Sequence, residues 1–154
     1  TLITSLSSAR PKIADYPFTT LIPNLGVVRK PDGNGCLFAD IPGLISGAAE
    51  GIGLGHDFLR HIERTKILIH LIDVFADDPI NDFLIIDNEL KKYGNGLIDK
   101  YRIVVFNKME LVEAEYLKSI TKKLENLSKK KVLVISSSLR KGLTQLLSEV
   151  WEKV

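Results

Sequence analysis

The segment Asn107-Lys-Met-Glu110 carries side chains suited to recognising a flat, nitrogen-rich ring. Asn107 offers both an amide donor and an acceptor, Lys108 can lay its methylene stem along the ring, and Glu110 can accept from a ring N–H and an exocyclic amine together. That pair of neighbouring donors exists on guanine and not on adenine. Adenine would instead place a ring acceptor opposite the carboxylate, so that two acceptors would face each other unpaired. A polar strand end that starts a helix gives the same four residues, so the segment alone leaves both interpretations open.

Two further segments have the chemistry of a metal and phosphate site. In Asp40-Ile-Pro-Gly43, the carboxylate can hold a hydrated Mg²⁺ while the glycine N–H approaches a terminal phosphate without a side chain in the way. Upstream, the adjacent hydroxyls of Thr19 and Thr20 offer a further Mg²⁺ ligand. A capped turn and ordinary loop threonines are the alternatives for these two segments.

The strands that would position these residues are short and apolar. Two runs flank the turn-rich segment Pro31-Asp-Gly-Asn-Gly35 and predict a β-hairpin over residues 25–40. Three nearly continuous apolar runs, residues 67–74, 103–106 and 132–135, are typical of strands buried on both faces. The candidate residues follow these strands, and ligands bind at the carboxyl ends of the strands in a wound sheet. Ser136-Ser-Ser138 follows the last run in the same way.

Helical patterns alternate with these strands. One stripe comprises Leu117, Ile120, Leu124 and Leu127, and a fuller one comprises Leu143, Leu146, Leu147, Val150 and Trp151. Strands separated by helices predict an α/β fold with a mostly parallel wound sheet and one antiparallel hairpin. Between Gly43 and Gly55, five glycines predict a loop that orders on binding a ligand, with a long surface loop as the alternative.

Composition bounds the class of protein. The 154 residues are 45% hydrophobic and 26% charged, with a net charge of +2, which is typical of one soluble domain. The single cysteine, Cys36, excludes an intrachain disulfide and is expected to be a small buried hydrophobe, and His70 is expected in the core. No apolar stretch approaches the length of a membrane span, and no signal peptide is evident. A cluster of lysines over residues 118–131 is a solvated helix face or an RNA contact.

Two long segments resemble the Obg family of bacterial ribosome-associated GTPases. Residues 15–28 and 40–65 read as that family's first and second switch regions almost word for word. The resemblance implies a P-loop NTPase-like G domain over residues 1–154, with Mg²⁺ held by Thr20 and Asp40 and GTP or GDP as the ligand. The residues it assigns to nucleotide binding are Phe18, Thr19, Thr20, Leu21, Ile22, Asp40, Ile41, Pro42, Gly43, Asn107, Lys108, Met109, Glu110, Ser136, Ser137 and Ser138.

The function implied by this resemblance is that of a molecular switch. The domain would bind GTP and hydrolyse it slowly in the cytoplasm, and the parent protein would act with the large ribosomal subunit during its assembly. In such proteins the γ-phosphate and Mg²⁺ order both switch regions, and hydrolysis releases them. The resemblance gives no catalytic base and no oligomeric state.

Three departures from the family pattern qualify these expectations. The family's first strand and phosphate-binding loop, Gly-x-x-x-x-Gly-Lys-Ser, would precede Thr1, so the chain is expected to be an N-terminally truncated part of a longer protein. Glu110 stands where the family has aspartate, which displaces the carboxylate by one bond. Leu44 follows Gly43 where Ras-like GTPases have a glutamine that orients water. A nucleotide-free or non-hydrolysing scaffold is therefore the alternative function.

Overall fold

The computed structural model describes residues 2, 6, 12–13, 24–29, 32–33, 35–40, 65–94 and 96–153. The chain divides into two compact units, one formed by Thr1–Thr65 and Ile86–Asp99 and the other by Lys66–Ile85 and Lys100–Val154. The prediction of a single domain over residues 1–154 stays a prediction.

The first unit contains a three-stranded antiparallel sheet. Strands β1 (Lys12–Ile13), β2 (Asn24–Arg29) and β3 (Gly35–Asp40) pair in the order β1-β2-β3. Strands β2 and β3 pair antiparallel, with Asn24 opposite Asp40 at one end and Arg29 opposite Gly35 at the other. This pairing confirms the predicted hairpin. The two-residue strand β1 was not predicted, because two residues are too few to show an alternating pattern.

The interior of this hairpin corrects one expectation. Val28 is 1% exposed, but its cross-strand neighbour Cys36 is only half-buried. Since successive side chains of a strand point to opposite faces, Val28 can be enclosed while its neighbour Val27, at 47% exposure, faces solvent. The prediction that Cys36 is a buried hydrophobe is therefore wrong.

Helix α1 (Pro79–Tyr93) was not among the helices predicted. The Asp78 carboxylate accepts a hydrogen bond from the backbone N–H of Asn81, and Pro79 occupies the first helical position. An N-terminal Asp-Pro pair of this kind is a start signal that the sequence does carry. The helix ends at Tyr93 and is followed by Gly94, whose φ of +74° suits a residue without a side chain, and then by a 3₁₀ turn at Leu97–Asp99.

The second unit is built on a parallel sheet. Strands β4 (Ile67–Asp73), β5 (Tyr101–Asn107) and β6 (Val132–Val134) pair in the order β4-β5-β6. A 3₁₀ helix (Met109–Leu111), helix α2 (Ala114–Ser128) and helix α3 (Leu143–Lys153) follow strands β5 and β6. The predicted α/β class, with a parallel sheet and an antiparallel hairpin, is confirmed. The β3 and β4 strands belong to different sheets.

The core of this unit joins the sheet to its helices. Its buried side chains are Ile72, Val74, Phe83, Val104, Phe106, Ile120, Leu124 and Val132. In α3, Leu143, Leu146 and Val150 are buried as predicted. Leu127 is 49% exposed although it continues the stripe of α2, because it lies in the last turn before the left-handed residue Lys129.

His70 lies inside β4 and is 8% exposed, as its position in an apolar run predicted. Its imidazole stacks on the Phe83 ring at a centroid distance of 5.1 Å, and the Arg102 guanidinium lies 5.3 Å from the same ring centroid.

Among the described residues, no helix has both the length and the apolar character that crossing a bilayer requires.

Candidate functional site

Two of the predicted segments meet where β5 and β6 end. Phe106 pairs with Val134 in the parallel register, and the backbone N–H of Ile135 donates to the Phe106 carbonyl over 2.8 Å. The N–H of Met109 then donates to the Ile135 carbonyl over 3.3 Å. These bonds bring residues 107–110 beside residues 136–138, as expected for parallel strands that end at one edge of a sheet.

The amide of Asn107 is oriented by Ser137. Its Oδ1 accepts from the backbone N–H of Ser137 over 3.0 Å and from the Ser137 hydroxyl over 3.1 Å. Ser137 is 2% exposed, whereas Asn107 is half-buried. With the amide oxygen used inside the protein, Nδ2 is the end of the side chain that can donate to a ligand.

Lys108 adopts a left-handed backbone conformation with a φ of +66°. Its ammonium forms an ion pair with Asp73, the last residue of β4, with Nζ and Oδ2 separated by 2.9 Å. Asp73 and Asn107 are register partners, so the strand pairing brings the two charges together. The other oxygen of Asp73 accepts from the N–H of Phe75 over 2.9 Å, which fixes the carboxylate.

The Glu110 carboxylate lies in the 3₁₀ helix after β5, and Ser138 contacts it from the loop after β6. The Ser138 hydroxyl donates to Oε2 of Glu110 over 2.8 Å. The pKa of the Glu110 carboxyl is lowered, first because its own backbone N–H donates to the anion and then because the Ser138 hydroxyl does, with smaller contributions from Ser136 and Lys108. The carboxylate therefore remains an ionised acceptor at neutral pH.

The loop that carries the three serines is closed by its backbone. Ser136 and Lys141 exchange hydrogen bonds of 2.9 and 3.0 Å, and the Ser136 hydroxyl accepts from the N–H of Leu139 over 3.1 Å. Gly142 follows with a φ of +78°, where an added Cβ would lie 2.6 Å from the Val134 carbonyl oxygen. The return of the chain toward α3 therefore requires a glycine.

Of the remaining predicted residues, Asp40 lies in the first unit and the others fall outside the described ranges. Asp40 ends β3 in the first unit, and the structure describes its backbone only. Phe18, Thr19, Thr20, Leu21, Ile22, Ile41, Pro42 and Gly43 lie outside the described residues. The proposed Mg²⁺ ligands Thr20 and Asp40 therefore stay predictions.

Sequence reasoning missed two residues that shape this edge of the sheet. Asp73 lies inside the predicted run of residues 67–74, so a rule that selects the residues after each run passed over it, whereas the strand itself ends at Asp73. Gly142 stands just before the apolar stripe of α3, but the sequence does not show that its Cβ would meet the Val134 carbonyl.

The assembled edge has the chemistry of a base-binding site. It combines an oriented amide donor at Asn107, an ionised acceptor at Glu110 and the lysine stem of Lys108, all from the end of one strand. The exposure of Lys108 and Glu110 keeps this edge open to a ligand. Guanine has a ring nitrogen that can accept from the amide and two neighbouring N–H groups that can donate to the carboxylate. Adenine lacks these two neighbouring donors, so it does not match the site.

Comparison with known proteins places the sequence among GTPases. A family model described as "50S ribosome-binding GTPase" matches residues 1–108. A GTPase Obg of Prochlorococcus marinus subsp. pastoris is 80% identical over all 154 residues, and one from strain MIT 9301 is 77% identical over the same length. The chain covers 47% of each, so it spans about half the length of these curated relatives. The predicted resemblance to the Obg family is confirmed.

Solved structures confirm the fold. The G domain of the T. maritima FeoB iron transporter aligns with a TM-score of 0.71 at 18% identity, covering 99% of this chain and 88% of that one. The cytosolic domain of the same transporter in its GMPPNP form aligns with a TM-score of 0.72 at 18% identity, covering 98% of this chain and 57% of that one. The expected G-domain fold is therefore present.

Proposed function

This chain belongs to the 50S ribosome-binding GTPase family, and we propose that it is the guanine-nucleotide-binding domain of a GTPase that binds GTP and hydrolyses it slowly. The observation that carries the proposal is the arrangement at the carboxyl end of β5. Ser137 turns the Asn107 amide so that Nδ2 can donate, while the Glu110 carboxylate stays ionised as an acceptor.

The recognition step follows from hydrogen-bond complementarity. Asn107 Nδ2 donates to an acceptor of the purine's five-membered ring, and Glu110 accepts from N1–H and the 2-amino group of guanine. The ion pair with Asp73 holds the Lys108 chain against the face of the base. Adenine offers no N1–H to Glu110, so the desolvated carboxylate would lose a partner and adenine nucleotides would bind weakly.

The phosphates and Mg²⁺ fall to the segments around Thr20 and Asp40. A threonine hydroxyl and a carboxylate are hard oxygen ligands of the kind Mg²⁺ takes beside nucleotide phosphates. When bound, the ion neutralises charge on the β- and γ-phosphates. Gly43 contributes a backbone N–H toward the terminal phosphate, and Phe18–Ile22 close over the nucleotide.

Slow hydrolysis follows from the residue after Gly43. Leu44 has no polar atom in its side chain and cannot orient an attacking water. Water positioning must therefore come from elsewhere in the protein or from a partner, as suits a switch whose turnover a partner controls. The family description names the 50S ribosome, which supports the large ribosomal subunit as that partner. The cytoplasm as the location is the part of the proposal that rests on the resemblance to the Obg family alone.

The test is a calorimetric titration of GDP and ADP, each with Mg²⁺, into the full-length protein that carries this chain. We expect GDP to bind and ADP to bind at least roughly a hundredfold more weakly, since several hydrogen bonds change together. Glu110→Ala should remove most of this preference, while Glu115→Ala, an exposed glutamate of α2, should leave it intact. A folded protein that binds both nucleotides equally, or neither, contradicts the proposal.

Hydrolysis is measured separately, as phosphate release from GTP by the same protein. Slow, Mg²⁺-dependent release supports the enzymatic function. Guanine binding without any release, even with large ribosomal subunits present, indicates a non-hydrolysing binding module instead.

A further inference from the structure

A short side-chain hydrogen bond between the two halves of the base site joins Ser138 to Glu110. The Ser138 hydroxyl donates to Oε2 over 2.8 Å, although the two residues lie 28 positions apart in sequence. Both residues are exposed, so the bond forms at the mouth of the site. A hydroxyl that donates to an ionised carboxylate makes one of the stronger hydrogen bonds in proteins.

A glutamate needs such a contact more than a shorter carboxylate does. Its carboxylate is attached through three rotatable bonds, and the last of these has a broad torsional distribution. To accept from two parallel N–H groups, both carboxylate oxygens must lie in the plane of the base. An unsupported glutamate would have to lose this rotational freedom each time it bound guanine.

We propose that Ser138 is a positioning residue that holds the Glu110 carboxylate in the plane of the base and so determines the preference for purines that carry a 2-amino group. This inference rests on the proposed function, because it assigns Ser138 a role at the same site. Ser138 acts through one oxygen of Glu110, and both oxygens keep lone pairs for the ligand.

Ser138 is itself held in place. Its hydroxyl lies 3.4 Å from the Ser136 hydroxyl, which is bonded to the Leu139 N–H, and Ser136 is 0% exposed and paired with Lys141. The donor therefore belongs to a loop that is closed by the protein's own hydrogen bonds. Positioning by a preorganised neighbour lowers the cost of ordering the carboxylate on binding.

The effect should depend on the length of the acidic side chain. An aspartate at position 110 would carry its carboxylate one C–C bond, about 1.5 Å, closer to the backbone. A hydrogen bond of 2.8 Å does not survive a retreat of that size. Ser138 should therefore influence base selection when residue 110 is glutamate and have little influence when it is aspartate.

The experiment compares GDP with inosine diphosphate, which lacks the 2-amino group, by calorimetry on the full-length protein. Ser138→Ala should reduce the preference for GDP over inosine diphosphate by roughly tenfold, the effect of losing one hydrogen bond to a charged group. Ser138→Thr keeps the hydroxyl and should retain the preference. Ser148→Ala, an exposed serine of α3, is the matched control and should have no effect. In a Glu110→Asp background, Ser138→Ala should change the preference by less than about twofold.

A preference unchanged by Ser138→Ala overturns the inference, as does an equal loss in the aspartate background. A protein that binds no guanine nucleotide contradicts the proposed function and with it the role in base selection, whereas an NMR titration of the Glu110 carboxyl tests separately whether Ser138 holds the carboxylate. Ser138→Ala should raise the pKa of that carboxyl, because the anion loses a donor, and Ser148→Ala should leave it in place. An unmoved pKa would show that the hydroxyl does not hold the carboxylate.

Discussion

Lys108 and Asp73 form an ion pair of 2.9 Å between the last residue of β4 and the residue that follows β5. Both side chains are partly exposed, at 50% and 38%, so the pair adds little to the free energy of unfolding. Its consequence is geometric, because it fixes the end of the lysine chain beside Asn107. The register of β4 against β5 therefore determines where the Lys108 chain lies, and this chain is the surface on which we place the base.

Asp73→Asn tests this link. The amide oxygen can still accept from the Phe75 N–H, but the charge that holds Lys108 is lost. We expect GDP affinity to fall by about threefold to tenfold while the free energy of unfolding changes by less than about 1 kcal/mol. Calorimetry and denaturant unfolding of the full-length protein measure the two effects. Asp77→Asn, at an exposed neighbour, is the control, and unaltered GDP affinity in Asp73→Asn would contradict the role given to the pair.

Gly142→Ala tests the closure of the serine loop. The new Cβ would lie 2.6 Å from the Val134 carbonyl oxygen at a φ of +78°, so steric overlap adds to backbone strain. We expect a loss of roughly 2–4 kcal/mol in the free energy of unfolding. Gly96→Ala has a similar φ of +75° with nothing within 4 Å, and should cost only about 1 kcal/mol. Equal losses in the two variants, measured by denaturant unfolding, would show that the overlap is relieved by local movement.

The lowered pKa of Glu110 predicts how base selection depends on pH. A folded-state pKa below the ordinary value keeps the carboxylate ionised until the pH falls below about 4.3, the usual pKa of glutamate. Between roughly pH 7.5 and pH 5 the phosphate groups that the two nucleotides share titrate, but Glu110 stays ionised. The preference for GDP over inosine diphosphate should therefore be constant across that range. Calorimetric titrations across that range measure it, and a preference that is lost with a midpoint near pH 6 would rule out an ionised Glu110 as the reader.

Helix α2 gives a prediction about stability alone. Leu124 is 0% exposed in the core, whereas Leu127 is 49% exposed on the same helix. Leu124→Ala should cost roughly 2–5 kcal/mol in the free energy of unfolding, and Leu127→Ala less than about 1 kcal/mol. Denaturant unfolding of the two variants compares them directly. A Leu127→Ala cost equal to that of Leu124→Ala would mean that something covers the end of the helix.

Much of the second unit could be predicted because its signals are local. Continuous apolar runs gave the strands, and the helical spacing of Leu143, Leu146 and Val150 gave the buried face of α3. The prediction that polar residues gather where the strands end also holds for Asn107 and Ser137, which share two hydrogen bonds. Parallel pairing explains this success, since it aligns the ends of neighbouring strands.

The contacts that shape the site could not be predicted in the same way. The bond between Ser138 and Glu110 depends on the closed serine loop, and the pairing of Lys108 with Asp73 depends on the register of β4 against β5. Both are relations between residues far apart in sequence. Helix α1 was missed for a different reason, because its start signal at Asp78 and Pro79 is local but its apolar stripe is weak.

The most direct test of the central claim is a crystal structure of the full-length protein with GDP and Mg²⁺. Our account predicts the guanine ring at the carboxyl end of β5, with Asn107 Nδ2 donating to the five-membered ring, both Glu110 oxygens facing N1–H and the 2-amino group, and the Lys108 chain along one face. A base bound elsewhere, or a Glu110 carboxylate turned away from guanine, would contradict it.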